Sequence, residues 1–330
     1  MNKRRKIILA LGASALAVPF GAVAQQQGKI WRIGFLSTRR VEISDSDFAY
    51  GPFRQGMREL GYVEGRNLVI EWRSAEGKTE RLPAMAAELV QLKVDLIVAA
   101  STPGVAAAQK ATTTIPIVMT STLDPVGSGF VASLAHPGGN ITGLKNFFGD
   151  LGPKHLEMLR SVAPKLTRVA MLLNPGNAGM AAVLKNVQAA AQKFGVTILP
   201  FDAASPREIE SAFSKMTQQK TGALIVVADA VFITQAHQIA ELAVKNRLPS
   251  IQANREYAEA GGLMSYGNSL AANYRRAATY VDKIFKGAKP GDIPVEQPTT
   301  FELAINMKSA KALGLKIPNS ILVQATKVIE

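Results

Sequence analysis

The sequence predicts an α/β fold of two lobes, each a parallel sheet with helices on both faces. Three observations carry that expectation. Short β-rich runs alternate with amphipathic helical patterns, the signature of parallel βαβ units. Several of those runs are almost wholly apolar, as strands covered on both faces are: Val94 to Ala100, with Asp95 its one polar residue, and Ala223 to Ala228. The same order then restarts midway, with the join near Phe147–Leu151.

The chain begins with a basic head, Lys3, Arg4, Arg5 and Lys6, followed by an apolar run from Ile7 to Phe20. Ala22-Val23-Ala24 then fits the small-residue cleavage pattern. This reads as a secretory signal peptide, residues 1–24, cleaved near Ala24 so that the mature chain starts near Gln25. The run is short of the ~20 apolar residues of a spanning helix. Arg4-Arg5 also resembles a twin-arginine signal, the general export route being the alternative. The sequence has no cysteine, hence no disulfide and no thiol for a lipid anchor. The expected compartment is the periplasm.

Removing 24 of 330 residues leaves 306, more than one core usually holds, so two domains are expected. The net charge is +13, and the four signal-peptide cations account for part of it. No run of three or more basic residues follows Lys6; Arg39-Arg40 and Arg275-Arg276 are isolated pairs. That pattern is a solvated surface, and no nucleic-acid partner is expected.

In the first series, Ile30 to Leu36 is a strand ending in Ser37-Thr38, and a helix runs from about Asp47 to Leu60, closed by Gly61. Asn67 to Trp72 alternates as a second strand, Glu80 to Leu92 is helical, and Val94 to Ala100 is a buried strand. Ser101-Thr102-Pro103-Gly104 reads as a helix start, with hydroxyls at the cap and proline in the first turn. Ile115 to Met119 is another strand, ending in Thr120-Ser121-Thr122-Leu123-Asp124-Pro125.

The second series has helices at Leu151–Val162, Ala178–Phe194 and Val231–Asn246, and strands at Arg168–Leu173, Thr197–Phe201 and Ala223–Ala228. Asn174-Pro175-Gly176 ends one strand and Asp229 another. Ser205 and Glu208 are spaced as a capping box. Short strands follow at Pro249–Gln252 and Gly262–Ser265. The tail holds a long helix, Leu270 to Phe285, then a strand over Thr299–Asn306 and a helix over Met307–Leu313. A tail of this length can cross to the first lobe and return, which makes a hinge of several strands.

Ligands of open parallel sheets sit beyond the carboxyl ends of the strands. Here those ends carry Ser37, Thr38, Ser101, Thr102, Thr120, Ser121, Asp124, Asn174 and Asp229. They are small hydrogen-bonding groups suited to holding a polar molecule, although the same types also cap helices and form turns. The helix start at Ser101 suits a carboxylate. Asp229, at the equivalent point of the second series, suits an ammonium, or else caps the helix after it. Tyr266 is a candidate for stacking on a ligand ring, with core burial as its alternative.

Catalytic sets are missing. His136, His155 and His237 are dispersed without ligand spacing, so no metal is expected. No Gly-x-Ser-x-Gly elbow occurs. Gly127-Ser128-Gly129-Phe130-Val131-Ala132 matches the loose dinucleotide pattern, but Thr120 to Val126 separate it from its strand. No cofactor is expected.

Six segments stand out as motifs. They are Glu59-Leu60-Gly61-Tyr62-Val63-Glu64-Gly65-Arg66-Asn67-Leu68, Ile115-Pro116-Ile117-Val118 and Asp124-Pro125-Val126-Gly127. His136-Pro137-Gly138-Gly139-Asn140-Ile141-Thr142-Gly143 and Gly261-Gly262-Leu263-Met264-Ser265-Tyr266-Gly267 extend the set. Tyr280-Val281-Asp282-Lys283-Ile284 through Pro294-Val295-Glu296-Gln297-Pro298-Thr299 completes it. In these segments the chain resembles the substrate-binding proteins of ABC importers, in the family of tryptophan- and tyrosine-binding types. The resemblance implies a type I periplasmic binding protein fold: two Rossmann-like lobes, three crossing segments and a ligand clasped between them. It divides the chain into a first lobe of 28–147 plus about 269–290 and a second of 148–268 plus about 295–325.

The resemblance further implies no catalysis. It implies first-lobe hydroxyls, here Ser37, Ser101, Thr102 and Ser121, on a ligand carboxylate, with Asn174 and Asp229 at the other end. Side-chain specificity would fall to residues such as Phe48, Tyr50, Phe232 and Tyr266. The implied partners are a small-molecule ligand, an amino acid by the family's ligand class, and the transmembrane subunits of an ABC permease, with a monomeric protein between them. A ligand receptor for a membrane sensor or chemoreceptor is the alternative with the same fold. An exported hydrolase would need a nucleophile–base pair, and a gene regulator a helix-turn-helix head.

Overall fold

The computed structural model describes residues 29–40, 44, 47, 49–177, 179–297, 299 and 301–330, the side chains of residues 148–150 excepted. The signal-peptide segment and Phe48 lie outside them.

The first sheet comes from β1 (Trp31–Ser37), α1 (Tyr50–Glu59), β2 (Leu68–Ser74), α2 (Leu82–Gln91), β3 (Leu96–Ala100), α3 (Ser101–Ala111), β4 (Ile117–Thr122) and β5 (Ile141–Lys145). Its five strands lie in the order β2-β1-β3-β4-β5, all parallel. Strand alternation splits its apolar side chains between two cores. Ile33, Phe35, Leu96 and Val98 pack with α1 on one face, and Leu36, Ile97, Ala99 and Met119 with α2 and α3 on the other.

The chain then builds α4 (Phe148–Val162), β6 (Arg168–Leu173), α5 (Met180–Gln192), β7 (Thr197–Asp202), α6 (Pro206–Gln218) and β8 (Ala223–Val226). After these come α7 (Ala230–Thr234), α8 (Ala236–Lys245), β9 (Ser250–Gln252), α9 (Arg255–Glu259) and β10 (Met264–Gly267). The single helix expected over Val231–Asn246 is two, broken at Gln235. Of the expected capping box one half forms as drawn: Ser205 Oγ accepts from the Glu208 N–H, while the Glu208 carboxylate accepts from the N–H of Ala204, one residue before the cap.

The tail crosses back. α10 (Leu270–Phe285) packs into the first lobe, with Leu270, Tyr274, Ala277, Tyr280 and Val281 in the α1 core. The chain then returns as β11 (Glu302–Asn306), α11 (Met307–Ala312), α12 (Asn319–Leu322) and β12 (Lys327–Ile329). The second sheet thus has seven strands in the order β12-β11-β10-β9-β8-β6-β7. It is parallel except at β10–β11, a pair made antiparallel by the excursion through α10. Sequence reading had no signal for the short α12 and β12, and it did not resolve β5, whose run is interrupted by Gly143. That glycine has φ +130°, and a Cβ there would lie 2.2 Å from the Met119 carbonyl oxygen, so the close strand pairing needs glycine.

Segments running between the sheets are tied together. The Lys145 N–H donates to the Glu296 carbonyl, and the Glu296 N–H to that of Gly143. Phe147 meets Phe301 edge-on at 5.5 Å between ring centroids, and Phe301 stacks on Tyr266 at 5.8 Å. These contacts pack the junction between the two sheets.

Candidate functional site

A cavity of about 50 Å³ lies between the lobes, at the carboxyl ends of both sheets. Ser37, Thr38, Ser101, Thr102 and Ser121 line it from the first lobe, and Asp229 from the second. Their positions follow from the topology, because parallel strands deliver their following loops to one edge.

Ser101 opens α3 with φ +66°, a left-handed conformation uncommon for a residue with a side chain. Such a backbone, followed by a helical turn, forms a nest of N–H groups that suits an anion. The first turn of α3 adds N–H groups without intrahelical acceptors. Thr38 and Ser101 hydroxyls lie 3.1 Å apart, and Ser37 hydrogen-bonds the Tyr50 hydroxyl, so this wall is a connected set of hydroxyls. The pairing of β4 shifts register on both sides near its end. Bulges re-aim side chains, and here Ser121 is partly exposed while Thr120 and Thr122 are buried.

Across the cavity, Asp229 is 5% exposed and accepts from three neutral donors. Its Oδ1 accepts from Asn174 Nδ2 and from the Val231 N–H, each at 2.9 Å, and its Oδ2 from Asn177 Nδ2 at 2.9 Å. Among the described residues no cation pairs with it. An ionised carboxylate accepts about four hydrogen bonds, so Oδ2 keeps capacity for one more. The lobes also exchange aliphatic side chains. Leu123 of the first lobe belongs to the second lobe's core, and Ile233 of α7 packs against the first lobe's.

Four of the residues expected at the site stand elsewhere. Thr120 is fully buried behind the wall, its side chain on the opposite side of the strand from Ser121. Asp124 accepts from the Gly127 N–H at 2.9 Å and borders a separate groove between the lobes. Asn174 is buried behind Asp229, which it orients. Tyr266 is held at the junction between the sheets against Phe301, with its carbonyl taking a 2.6 Å hydrogen bond from the buried His155 ring. Tyr50 and Phe232, named for specificity, are fully buried core residues.

Sequence reading passed over Arg39, Asn146, Asn177, Asn254 and Tyr274, all of which line the cavity. Arg39 was counted as surface charge; it pairs with Asp47 at 2.9 Å and lies over the Tyr50 ring. Asn146 follows β5 and Asn254 follows β9, so the strand-end rule applied to every strand finds both. Tyr274 comes from α10, far along the chain, and carries no local signal.

Among the described residues no group of three or more His, Cys, Asp or Glu side chains is placed to hold a metal ion, and no helix is long and apolar enough to cross a membrane.

The family described as ABC transporter substrate binding protein matches residues 39–329 of this chain. The tyrosine-binding protein of Clostridioides difficile (strain R20291) is 28% identical over 276 residues, 84% of this chain and 79% of that protein. An ABC domain from Streptococcus pneumonia in complex with L-Trp is 27% identical, with a TM-score of 0.83 over 91% of this chain and 99% of that one. A ligand-free, open substrate-binding protein with adhesive properties from Clostridium difficile is 26% identical, with a TM-score of 0.65 over 91% and 99%. The chain belongs to the ABC transporter substrate-binding protein family, whose members bind substrates and are not enzymes.

Proposed function

We propose that this protein is the periplasmic binding component of an ABC importer, carrying a small carboxylate-bearing ligand, an amino acid, to a membrane permease. The observation that carries the reading is Asp229. A buried carboxylate oriented by three neutral donors and, among the described residues, paired with no cation is arranged for a cationic group to arrive. The hydroxyls and helix start on the opposite lobe supply the complementary anchor for a carboxylate. Together they suit a zwitterion. The tyrosine and L-Trp named for the relatives above belong to the same chemical class.

Closure follows from the same arrangement. Each lobe holds one end of the ligand, so a ligand that touches both favours the shut form. At nearly equal identity, the chain matches the L-Trp complex at TM-score 0.83 and the open, ligand-free structure at 0.65, which supports reading this arrangement as the closed one. Micromolar affinity corresponds to about −8 kcal/mol, within reach of two charge-assisted anchors after closure costs.

The test is a thermal-shift screen of the protein without residues 1–24 against the twenty L-amino acids and small neutral carboxylates. A ligand that binds only the folded state raises the melting temperature. A hit among amino acids, followed by loss of uptake of that compound on deleting the gene, supports both binding and transport. A hit with uptake unchanged removes the importer role, and hits confined to carboxylates without an amine remove the ammonium role of Asp229.

A further inference from the structure

We infer that Asn254 is a ligand-binding residue, its amide oxygen serving beside Asp229 as a second acceptor for the ligand's ammonium group. The inference rests on the zwitterion reading of the cleft and extends it to a preference for a primary amine.

Asn254 stands at the N-cap of α9 with φ −95° and ψ 132°, extended values ordinary for a capping residue. Ser205, Asp229, Ser269 and Asn306 occupy the same position on their helices, and each accepts a hydrogen bond from the first turn. Asn254 does not. Asparagine is among the strongest N-caps, so its oxygen has been withheld from the nearest bond open to it. Among the described residues that oxygen has no hydrogen-bond partner, although the residue is only 3% exposed.

Native proteins seldom leave a buried amide oxygen unpaired. This one belongs to a residue of the cavity wall, in the same lobe as Asp229. An ammonium carries several N–H donors and needs more than one acceptor when it leaves water. Asp229 Oδ2 has capacity for one bond; Asn254 Oδ1 supplies another. Both acceptors come from strand ends of one lobe, after β8 and β9, which are adjacent in the sheet. An N-methylated amine keeps two donors, one for each acceptor, but must turn both of them toward the pair and sets a methyl group in the third position of this polar wall, so the site favours a primary ammonium.

The experiment is calorimetry with whichever of the twenty L-amino acids binds the wild-type protein most tightly, and with its N-methyl derivative. Asn254→Ala is expected to weaken the amino acid about tenfold, the effect of one hydrogen bond to a charged group. Asn254→Asp, which keeps an acceptor, is expected to stay within about threefold of wild type. The N-methyl derivative is expected to bind wild type about tenfold more weakly and to discriminate less against Asn254→Ala. Equal losses in the Asp and Ala variants would show the amide acting as a donor and overturn the inference, as would unchanged affinity in Asn254→Ala. If the Ala variant fails to fold by circular dichroism, the N-methyl comparison on wild type decides: equal binding overturns it. Failure of every amino acid to bind wild type would overturn the zwitterion reading and this inference with it. Binding of an amino acid with no effect at Asn254 overturns only the latter.

Discussion

Leu123 of the first lobe lies against Gly179 of the second so closely that a Cβ on Gly179 would stand 3.0 Å from Leu123 Cδ1 and 3.1 Å from its Cβ. Gly179 has φ −67° and ψ −15°, ordinary helical values, so its backbone accepts any side chain. What requires glycine here is the approach of the other lobe. Gly179→Val is expected to leave the melting temperature of the ligand-free protein within about 2 °C while weakening ligand at least tenfold, because it obstructs closure and little else. Calorimetry and a melting curve on the same preparation check this. Adding Leu123→Ala is expected to restore part of the affinity.

Asp229→Asn removes the charge and half the acceptor capacity. One of the amides of Asn174 and Asn177 must then face another N–H₂ group. The expected outcome is a loss of amino-acid affinity of tenfold or more, with a stability cost of about 1–2 kcal/mol. Calorimetry against an amino acid and against the matching acid without its amine separates the two effects. The amine-free ligand should lose far less.

Ser101→Gly is expected to change stability and binding in opposite directions. Glycine adopts φ +66° without strain, whereas a side chain there costs roughly 1 kcal/mol. The variant should unfold at equal or higher denaturant concentration yet bind carboxylates more weakly, having lost the hydroxyl that faces Thr38. Replacing Ser101 and Thr102 together by alanine should weaken carboxylate ligands more than neutral ones.

Burial pushes the His155 imidazole down to about 4 from an ordinary 6.5, against the pull of its hydrogen bond to the Tyr266 carbonyl. Below about 6.5 an unfolded chain takes up a proton that the folded one refuses until pH 4 is approached. The stability this residue contributes is therefore complete above pH 6.5 and is lost as pH falls toward 4, at up to about 1.4 kcal/mol per pH unit. His155→Gln should flatten the fall of melting temperature between pH 7 and 4 relative to wild type. Parallel curves would remove His155 as a contributor.

Residues 1–24 are expected to be absent from protein recovered in the periplasmic fraction, with Gln25 at or near the new N-terminus. Mass spectrometry of the intact protein checks this. Recovery of the full-length chain from the cytoplasm would overturn it.

Much of the fold is legible because strand runs and helix periods are local. Arg168–Leu173 and Leu270–Phe285 coincide with β6 and α10 to the residue, one an apolar run opened by a single arginine and the other a long amphipathic one. The site is legible where a single rule suffices. Ser37, Thr38, Ser101, Thr102, Ser121 and Asp229 all line the cavity because parallel strands end together. The rule fails one step further. It does not tell a wall residue from its neighbour, so Thr120 and Ser121 look alike until the register shift at the end of β4 separates them. Nor does it distinguish an acceptor from the residue that aims it, as with Asp229 and Asn174. Arg39 and Tyr274 needed three-dimensional placement, since neither a charge pair nor a helical tyrosine announces a cavity.

The position of α10 has a consequence for the order in which the molecule can form. The first lobe's core is not complete when its strands have been made. The face holding Phe35, Tyr50 and Phe53 awaits Tyr274, Ala277, Tyr280 and Val281, which emerge only after the whole second series of strands. A growing chain released at residue 147 would expose an apolar surface with nothing to cover it. Neither half is a free-standing folding unit in the order of synthesis, and the polypeptide remains open to late rearrangement until the α10 helix has appeared. A chain whose first half cannot finish early stays threadable for most of its length, the condition under which a polypeptide can pass through a narrow pore before it folds.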